Sequence, residues 1–244
     1  MTTKADEQHA ILEQVRKALH SEPRIRPTAG PIHLAWSEDA LVMEGEVDSL
    51  AGKKLALEAA ARVPGVAGIV DRLRVKPATR MGDGEIRDAV RDALLGEIVL
   101  ADCTLREWVK GRLETVREPP SPTGTIDISV EDGVVTLDGE VVGLGQKRIA
   151  GVLAWWVPGC RDVVNGLGVN PPDTDTEAAI TDAVRQVLEK DPLLDAESIT
   201  VTTRGAVVTL DGFVPSEEQR HIAEDDAWAV FGVEGVVNRL EVRP

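Results

Sequence analysis

The sequence predicts an α+β protein of three tandem αββαβ modules, each a three-stranded mixed sheet with two helices on one face. Three observations predict it. The strings "GVVTLDGEV" at Gly133–Val141 and "AVVTLDGFV" at Ala206–Val214 are near copies, and "ALVMEGEV" at Ala40–Val47 is a weaker third. The copies also hold register: Gly45, Gly139 and Gly212 are each followed twenty residues on by Gly65, Gly159 and Gly232, and thirty-two residues on by Pro77, Pro171 and Pro244. Finally, apolar residues at helical spacing precede and follow each phrase. Repetition at a fixed period decides architecture before local propensity does.

Each module opens with an amphipathic helix. Ile11, Val15 and Leu19 mark it in the first copy, Ile86, Val90 and Leu94 in the second, and Ile180, Val184, Val187 and Leu188 in the third. Spacings of three and four place these groups on one face. Two β-rich runs around a turn come next. Asp132–Gly133 is a strong hairpin signal; Arg204–Gly205 lies near the turn of the third copy, and Glu38–Asp39 serves in the first.

The second helix repeats a small-residue face. Ala56, Ala150 and Ala223 align, then Ala60, Ala154 and Ala227, then Val63, Val157 and Val230. Such a face lets a helix lie close on a sheet. Gly65, Gly159 and Gly232 follow at the helix end, where a left-handed residue favours glycine. The module closes on a short strand, "IVDRLRV", "VVNGLGV" or "VVNRLEV". In the middle strand Val135 and Leu137 share one face and Val134 and Thr136 the other, as do Val208/Leu210 and Val207/Thr209. With both helices on one side, the second face keeps β-branched residues, for packing between domains or for a partner.

The modules are set at residues 1–80, 81–172 and 173–244. Their linkers, Lys76–Gly84 and Asn170–Asp175, are short and carry proline, so they act as spacers. Gly82–Asp83–Gly84 reads as a helix start, as do Asp175 and Glu177 in the third copy. The second copy carries an insertion near 105–124, "LREWVKGRLETVREPPSPTG". Leu105, Trp108, Val109 and Leu113 could form a helical stripe, but Lys110–Gly111 inside it favours an extra β-hairpin.

Composition narrows function. With 42 Asp+Glu against 27 Lys+Arg the formal charge is −15. Phosphate neutralisation needs a basic face, so general nucleic-acid binding is excluded. Residues 1–80 hold 12 basic and 11 acidic side chains, 81–172 hold 9 and 15, and 173–244 hold 6 and 16. Only the first third approaches an anionic surface without net repulsion. Two cysteines make no disulfide framework, no stretch reaches the length of a membrane span, and the start of the chain lacks a signal-peptide core. The expectation is a cytoplasmic chain, or a periplasmic one if a leader was removed.

No arrangement of residues supports catalysis, and no cofactor or metal is expected. The four histidines are scattered, Gly143 and Gly145 belong to a turn, and Asp173, Asp175 and Glu177 lack the loop length of a calcium site. Cys160 aligns with Val66 and Val233 and reads as a small buried group. One polar pattern recurs: Lys53, Lys147 and Arg220 align, followed by Lys54, Arg148 and His221. Cations in the first turn of a helix oppose its dipole. Two readings offset that cost: salt bridges to nearby carboxylates, or contact with anionic headgroups or phosphate. Lys53, Lys54, Lys147, Arg148 and Arg220 are thus the candidate anion contacts. Trp155 and Trp228 align on the second helix, with Trp156 adjacent, marking either an inter-domain seam or an exposed patch.

The residues that carry the repeat also resemble a known family. "DGVVTLDGEV" followed by a basic helix start and "PGCRDVVNGLGV" is similar to the BON (bacterial OsmY and nodulation) domain. So are "GAVVTLDGFVPSEEQR" with "FGVEGVVNRLEV", and, by spacing, the "PGVAGIVDRLRV" end of the first copy. The resemblance implies an αββαβ fold and a non-enzymatic role. Family members are described as interacting with phospholipids, protecting the envelope under osmotic stress, or acting as chaperones. A cytoplasmic branch senses potassium. The family glycine maps onto Gly65, Gly159 and Gly232. The expected function is therefore stress-related binding or scaffolding on a phospholipid surface or a protein partner, with a potassium-responsive sensor as the alternative.

Overall fold

The computed structural model describes residues 4–243. The chain divides into two compact units, residues 1–76 and 77–244.

The first unit runs α1 (Lys4–Ser21), β1 (His33–Ser37), β2 (Ala40–Val47), α2 (Leu50–Ala61) and β3 (Ile69–Val75). Its sheet has the order β1-β2-β3, with β1 antiparallel and β3 parallel to β2. The period of two along β2 buries Leu41 and Met43, and Val15 and Leu19 of α1 and Ala56 and Ala60 of α2 are buried with them. Ser49 starts α2 by accepting from the Gly52 amide at 3.0 Å, satisfying one of the donors left open at a helix start.

The second unit holds two modules. The first of them runs α3 (Asp83–Gly96), β4 (Cys103–Val109), β5 (Arg112–Arg117), β6 (Gly124–Glu131), β7 (Val134–Val141), α4 (Leu144–Trp155), β8 (Asp162–Asn165) and β9 (Gly168–Val169). The next runs α5 (Glu177–Lys190), β10 (Ile199–Arg204), β11 (Val207–Val214), α6 (Glu217–Ala229) and β12 (Gly235–Val242). In the middle module Ile86, Val90 and Leu94 of α3 and Ala150 and Ala154 of α4 join Ile126, Ile128, Val135 and Leu137 in one core, so both helices cover one sheet face. The alternation expected along β7 and β11 is present: Val135, Leu137, Val208 and Leu210 are buried.

The middle sheet departs from the expected three strands. It has six, in the order β5-β4-β6-β7-β8 with β9 beside β7. The insertion is a hairpin: β4 and β5 pair antiparallel around Lys110–Gly111, both at positive φ (49° and 77°), and β4 then lies parallel to β6. A tight turn of two left-handed residues matches strand twist, which is why Lys–Gly here outweighs the helical stripe. The closing strand is split into β8 and β9 around Gly166 and Leu167, although the Gly166 amide still donates to the Leu137 carbonyl of β7 at 2.8 Å. The third-copy turn is Gly205–Ala206 (φ 53° and 62°), next to the expected Arg204–Gly205 signal.

The anchor glycines have a steric reason. At Gly139 (φ 116°) and Gly212 (φ 127°) a β-carbon would stand 2.2 Å from the Thr125 carbonyl oxygen and 2.1 Å from that of Ser198. Both conformation and space demand glycine. Gly65 and Gly232 take the expected left-handed conformation, each at φ 96°. Gly159 does not. It lies outside the left-handed region, and its requirement is crowding: a β-carbon would meet Met81 Cβ at 2.6 Å and Ile86 Cγ1 at 2.9 Å.

Hairpins are tied to the first helix of their module by a carboxylate. Asp83 accepts from the amides of Asp132 and Gly133 at 3.1 and 2.9 Å, and Glu177 accepts from Gly205 at 2.7 Å. The acidic residues expected at these helix starts therefore hold the neighbouring turn.

Candidate functional site

The aligned basic residues begin the second helix of each module, where the closing strand passes beneath. Lys53 is only 3% exposed; its ammonium donates to the Leu73 carbonyl at 2.9 Å and pairs with Asp71 at 2.9 Å. Lys54, beside it, is half-buried. Arg148 is 4% exposed, donates through Nε to the Phe231 carbonyl at 2.9 Å and pairs with Asp175. Lys147 is half-buried over the Phe231 ring, 3.9 Å from its centre, and burial pushes its ammonium below the usual range. Arg220 turns back on Glu217 at 3.1 Å. The alignment thus places these residues on three separate helices, and ion pairs offset the dipole cost at Lys53, Arg148 and Arg220.

A recurrent partner of that helix start was visible in the sequence and went unused. The closing strands carry Asp71, Asn165 and Asn238 at one register position. Asp71 takes the Lys53 ammonium, Asn165 donates to the Lys147 carbonyl at 2.7 Å, and Asn238 donates to the Arg220 carbonyl at 2.9 Å. A polar side chain facing the core side of a strand was the available signal.

The second and third modules meet through helices. Alongside the Arg148 contacts, Lys190 of α5 pairs with Glu97 at 2.9 Å, and Trp156, just beyond α4, donates its indole N–H to Asp226 of α6 at 2.7 Å. Trp228 is buried as well. Trp156 therefore marks the seam, whereas Trp155 packs against the core of the middle module. Burial pushes the Asp226 carboxyl up to about 8, against the Trp156 hydrogen bond and reinforced by Asp191 and Asp225. Asp191, itself buried, closes α5 and accepts from the Leu193 amide at 2.8 Å.

Because the seam uses helices, the outer sheet faces of these two modules are left open. On the third-module face Val207 and Val237 are 38% and 40% exposed, and Thr209 lies between Thr202 and Val237. Phe213, under the Arg243 guanidinium, continues the row. On the middle module Val164 is 50% exposed beside Thr136, and Trp108 of the inserted hairpin is 47% exposed across from Leu113. Arg106 and Asp127 form a bidentate pair between β4 and β6 on that face, at 2.6 and 2.7 Å. No group of three or more His, Cys, Asp or Glu side chains suited to a metal occurs among the described residues, and no described helix is long and apolar enough to cross a membrane. Cys103 and Cys160 are buried free thiols, and burial raises that of Cys103.

The repeat geometry has a family counterpart. The BON domain matches residues 8–77, 101–171 and 176–244. The chain belongs to the BON domain family. It is 31% identical over 124 residues to the osmotically-inducible protein Y of Escherichia coli (strain K12). That match takes in 48% of this chain and 62% of the relative's length. Two structures of CdsD, a structural protein of the type III secretion system of Chlamydia trachomatis, overlay with 12% identity. They cover 96% of this chain and 98% and 93% of theirs, at TM-scores of 0.26 and 0.24, too low to carry an argument about this chain. The BON match leaves out all of α3, residues 83–96, although that helix repeats the role of α1 and α5.

Proposed function

We propose that this BON-family protein is a non-enzymatic scaffold of the osmotic-stress response that binds a protein partner on its open sheet faces. One observation carries the reading: the seam between the second and third modules consumes their helices, while Val164, Val207, Val237, Phe213 and Trp108 stay on the uncovered side. Isolated exposed valines are ordinary, but β-branched and aromatic groups repeated on one sheet face, around polar groups such as the Arg106–Asp127 pair, give a mixed surface of the kind protein partners cover. Val164→Glu with Val237→Glu tests it, since both side chains are exposed. A strain lacking the protein and supplied with this variant should lose osmotic protection while the purified variant melts like the wild type. Full protection by a normally folded variant would sink the proposal.

Phospholipid is the second reading, favoured by the charge balance of residues 1–80, 12 basic against 11 acidic, in a chain of charge −15. Co-sedimentation with phosphatidylglycerol vesicles should then be carried by residues 1–80 and weaken as salt rises. Equal binding by residues 81–244 would defeat it. A cytoplasmic location is proposed with both readings, in keeping with two free thiols, and cell fractionation decides it.

A further inference from the structure

The connection between α1 and β1 is eleven residues, 22–32, against eight, 191–198, between α5 and β10. The longer connection and the end of α1 line a half-open cavity of about 440 Å³. Its floor is apolar, built from Leu19, Ile25 and Ile32, and Arg16 and His20 of α1 stand at its side. We propose that this cavity binds a small amphipathic anion, a single-chain carboxylate with its tail on the apolar floor and its head toward Arg16 and His20.

Three features carry the assignment. The first is size, which falls within the range of small-molecule sites. The second is preorganisation. Pro23, Pro27 and Pro31 punctuate the wall, and the loop is fixed to β2 by the Thr28 amide on the Glu46 carbonyl at 2.9 Å and to the turn beyond it by the Asp48 amide on the Arg26 carbonyl at 3.0 Å. A wall already rigid loses little freedom when a ligand enters. The third is charge. Arg16 and the acid Glu22 line the cavity, and Lys17, Arg24 and Arg26 lie in the same segment outside the lining, Arg26 paired with Asp48, although the whole protein is −15. Glu22 is itself held by Arg24 at 2.8 and 3.0 Å, which draws its carboxyl below the usual range. Arg16 pairs with Glu13 through one nitrogen, and a guanidinium has five donors, so it can take a second carboxylate.

The chemistry excludes simpler ligands. A purely apolar molecule would cover the cations without replacing their water, and a bare inorganic anion would gain nothing from the floor. A carboxylate on a short alkyl chain uses both. The cavity is built from residues of the first unit and the open sheet faces from residues of the second, so the two are tested by different substitutions.

The experiment is calorimetric titration of the full chain with decanoate below its micelle concentration. One molecule should bind per chain, and Arg16→Glu, a change at an exposed side chain, should weaken it about tenfold or more. Decanol, with the same chain and no charge, should be indifferent to Arg16→Glu, and inorganic phosphate should give no saturable heat. Ile32→Trp, which fills the cavity, should abolish decanoate binding with the melt unchanged; if that variant fails to fold, Arg16→Glu alone decides. Decanoate binding untouched by Arg16→Glu, binding of phosphate as tight as decanoate, or binding seen only with phosphatidylglycerol vesicles would each overturn the assignment.

Discussion

Replacing Asp226 by asparagine should change how the stability of residues 77–244 depends on pH. In the fold Asp226 is buried at the seam, its Oδ1 taking the Trp156 indole N–H, and its carboxyl keeps a proton up to about pH 8. In the unfolded chain the same group ionises near 3.8, the usual range for aspartate. Between those limits unfolding releases a proton, so stability falls as pH rises, by a little over 1 kcal/mol per pH unit while this group alone titrates. Above about 8 the fall levels off. From pH 5.5 to 8 the loss is a few kcal/mol, which in a unit of this size lowers the melting temperature by roughly 5–15 °C. Asparagine keeps an acceptor for Trp156 and cannot ionise. Asp226→Asn should therefore melt higher than the wild type at pH 8 and show a flatter profile. Calorimetry across the range is the assay. The difference between variant and wild type, rather than the slope of either alone, is decisive. Two parallel profiles would show that Asp226 does not hold the proton and that the seam contributes no such dependence.

Three other outcomes follow from the same contacts. Arg148→Met should destabilise the seam by about 1–3 kcal/mol, because it leaves Asp175 and the Phe231 carbonyl without their cation, and should be read as a lower melting temperature of residues 77–244 with residues 1–76 unaffected. Gly159→Val should cost about 1–3 kcal/mol by overpacking against Met81 and Ile86, and shortening Met81 to alanine should recover part of it; an unchanged melt would mean that the cleft opens freely. Residues 1–76 and 77–244 expressed apart should each melt cooperatively, the second in one transition, and two transitions in it would mean the seam is too weak to couple its modules.

Much of the fold was legible because the same physical demand was written three times. Ile86, Val90 and Leu94 had to share a helical face, Ala150 and Ala154 had to lie close on a sheet, and Gly139 and Gly212 recur because a carbonyl oxygen stands where a β-carbon would be. The hairpin in the insertion was signalled by Lys110–Gly111, whose left-handed turn a helix could not contain. Other features depended on neighbours that one module cannot reveal. Gly159 carries the family position but answers to Met81, a linker residue outside its own helix and strand. Lys53 and Arg148, at neighbouring positions of the aligned basic pair, read as surface-like cations, yet each is buried against a carboxylate from elsewhere: Asp71 in the same module and Asp175 in the linker to the next. The cavity beside Arg16 depends on how residues 22–32 fold over α1, which no periodicity encodes.

Neighbouring modules this alike face a hazard of mistaken identity while the chain folds, since a strand from one could settle into the sheet of the other. The inserted hairpin gives the middle sheet a way to refuse the wrong guest. In its β6 slot the register sets Asp127 against Arg106 and Gly124 against the carbonyl oxygen of Glu140, where a β-carbon would stand 2.6 Å away. By the shared register of β6 on β7 and β10 on β11, the third-copy strand would bring Thr200 to the first place and Glu197 to the second. Thr200 offers Arg106 no charge, and Glu197 cannot fit. The extra strands thus serve as an address that tells one copy from its twin, and removing them should leave a chain that folds into more than one arrangement.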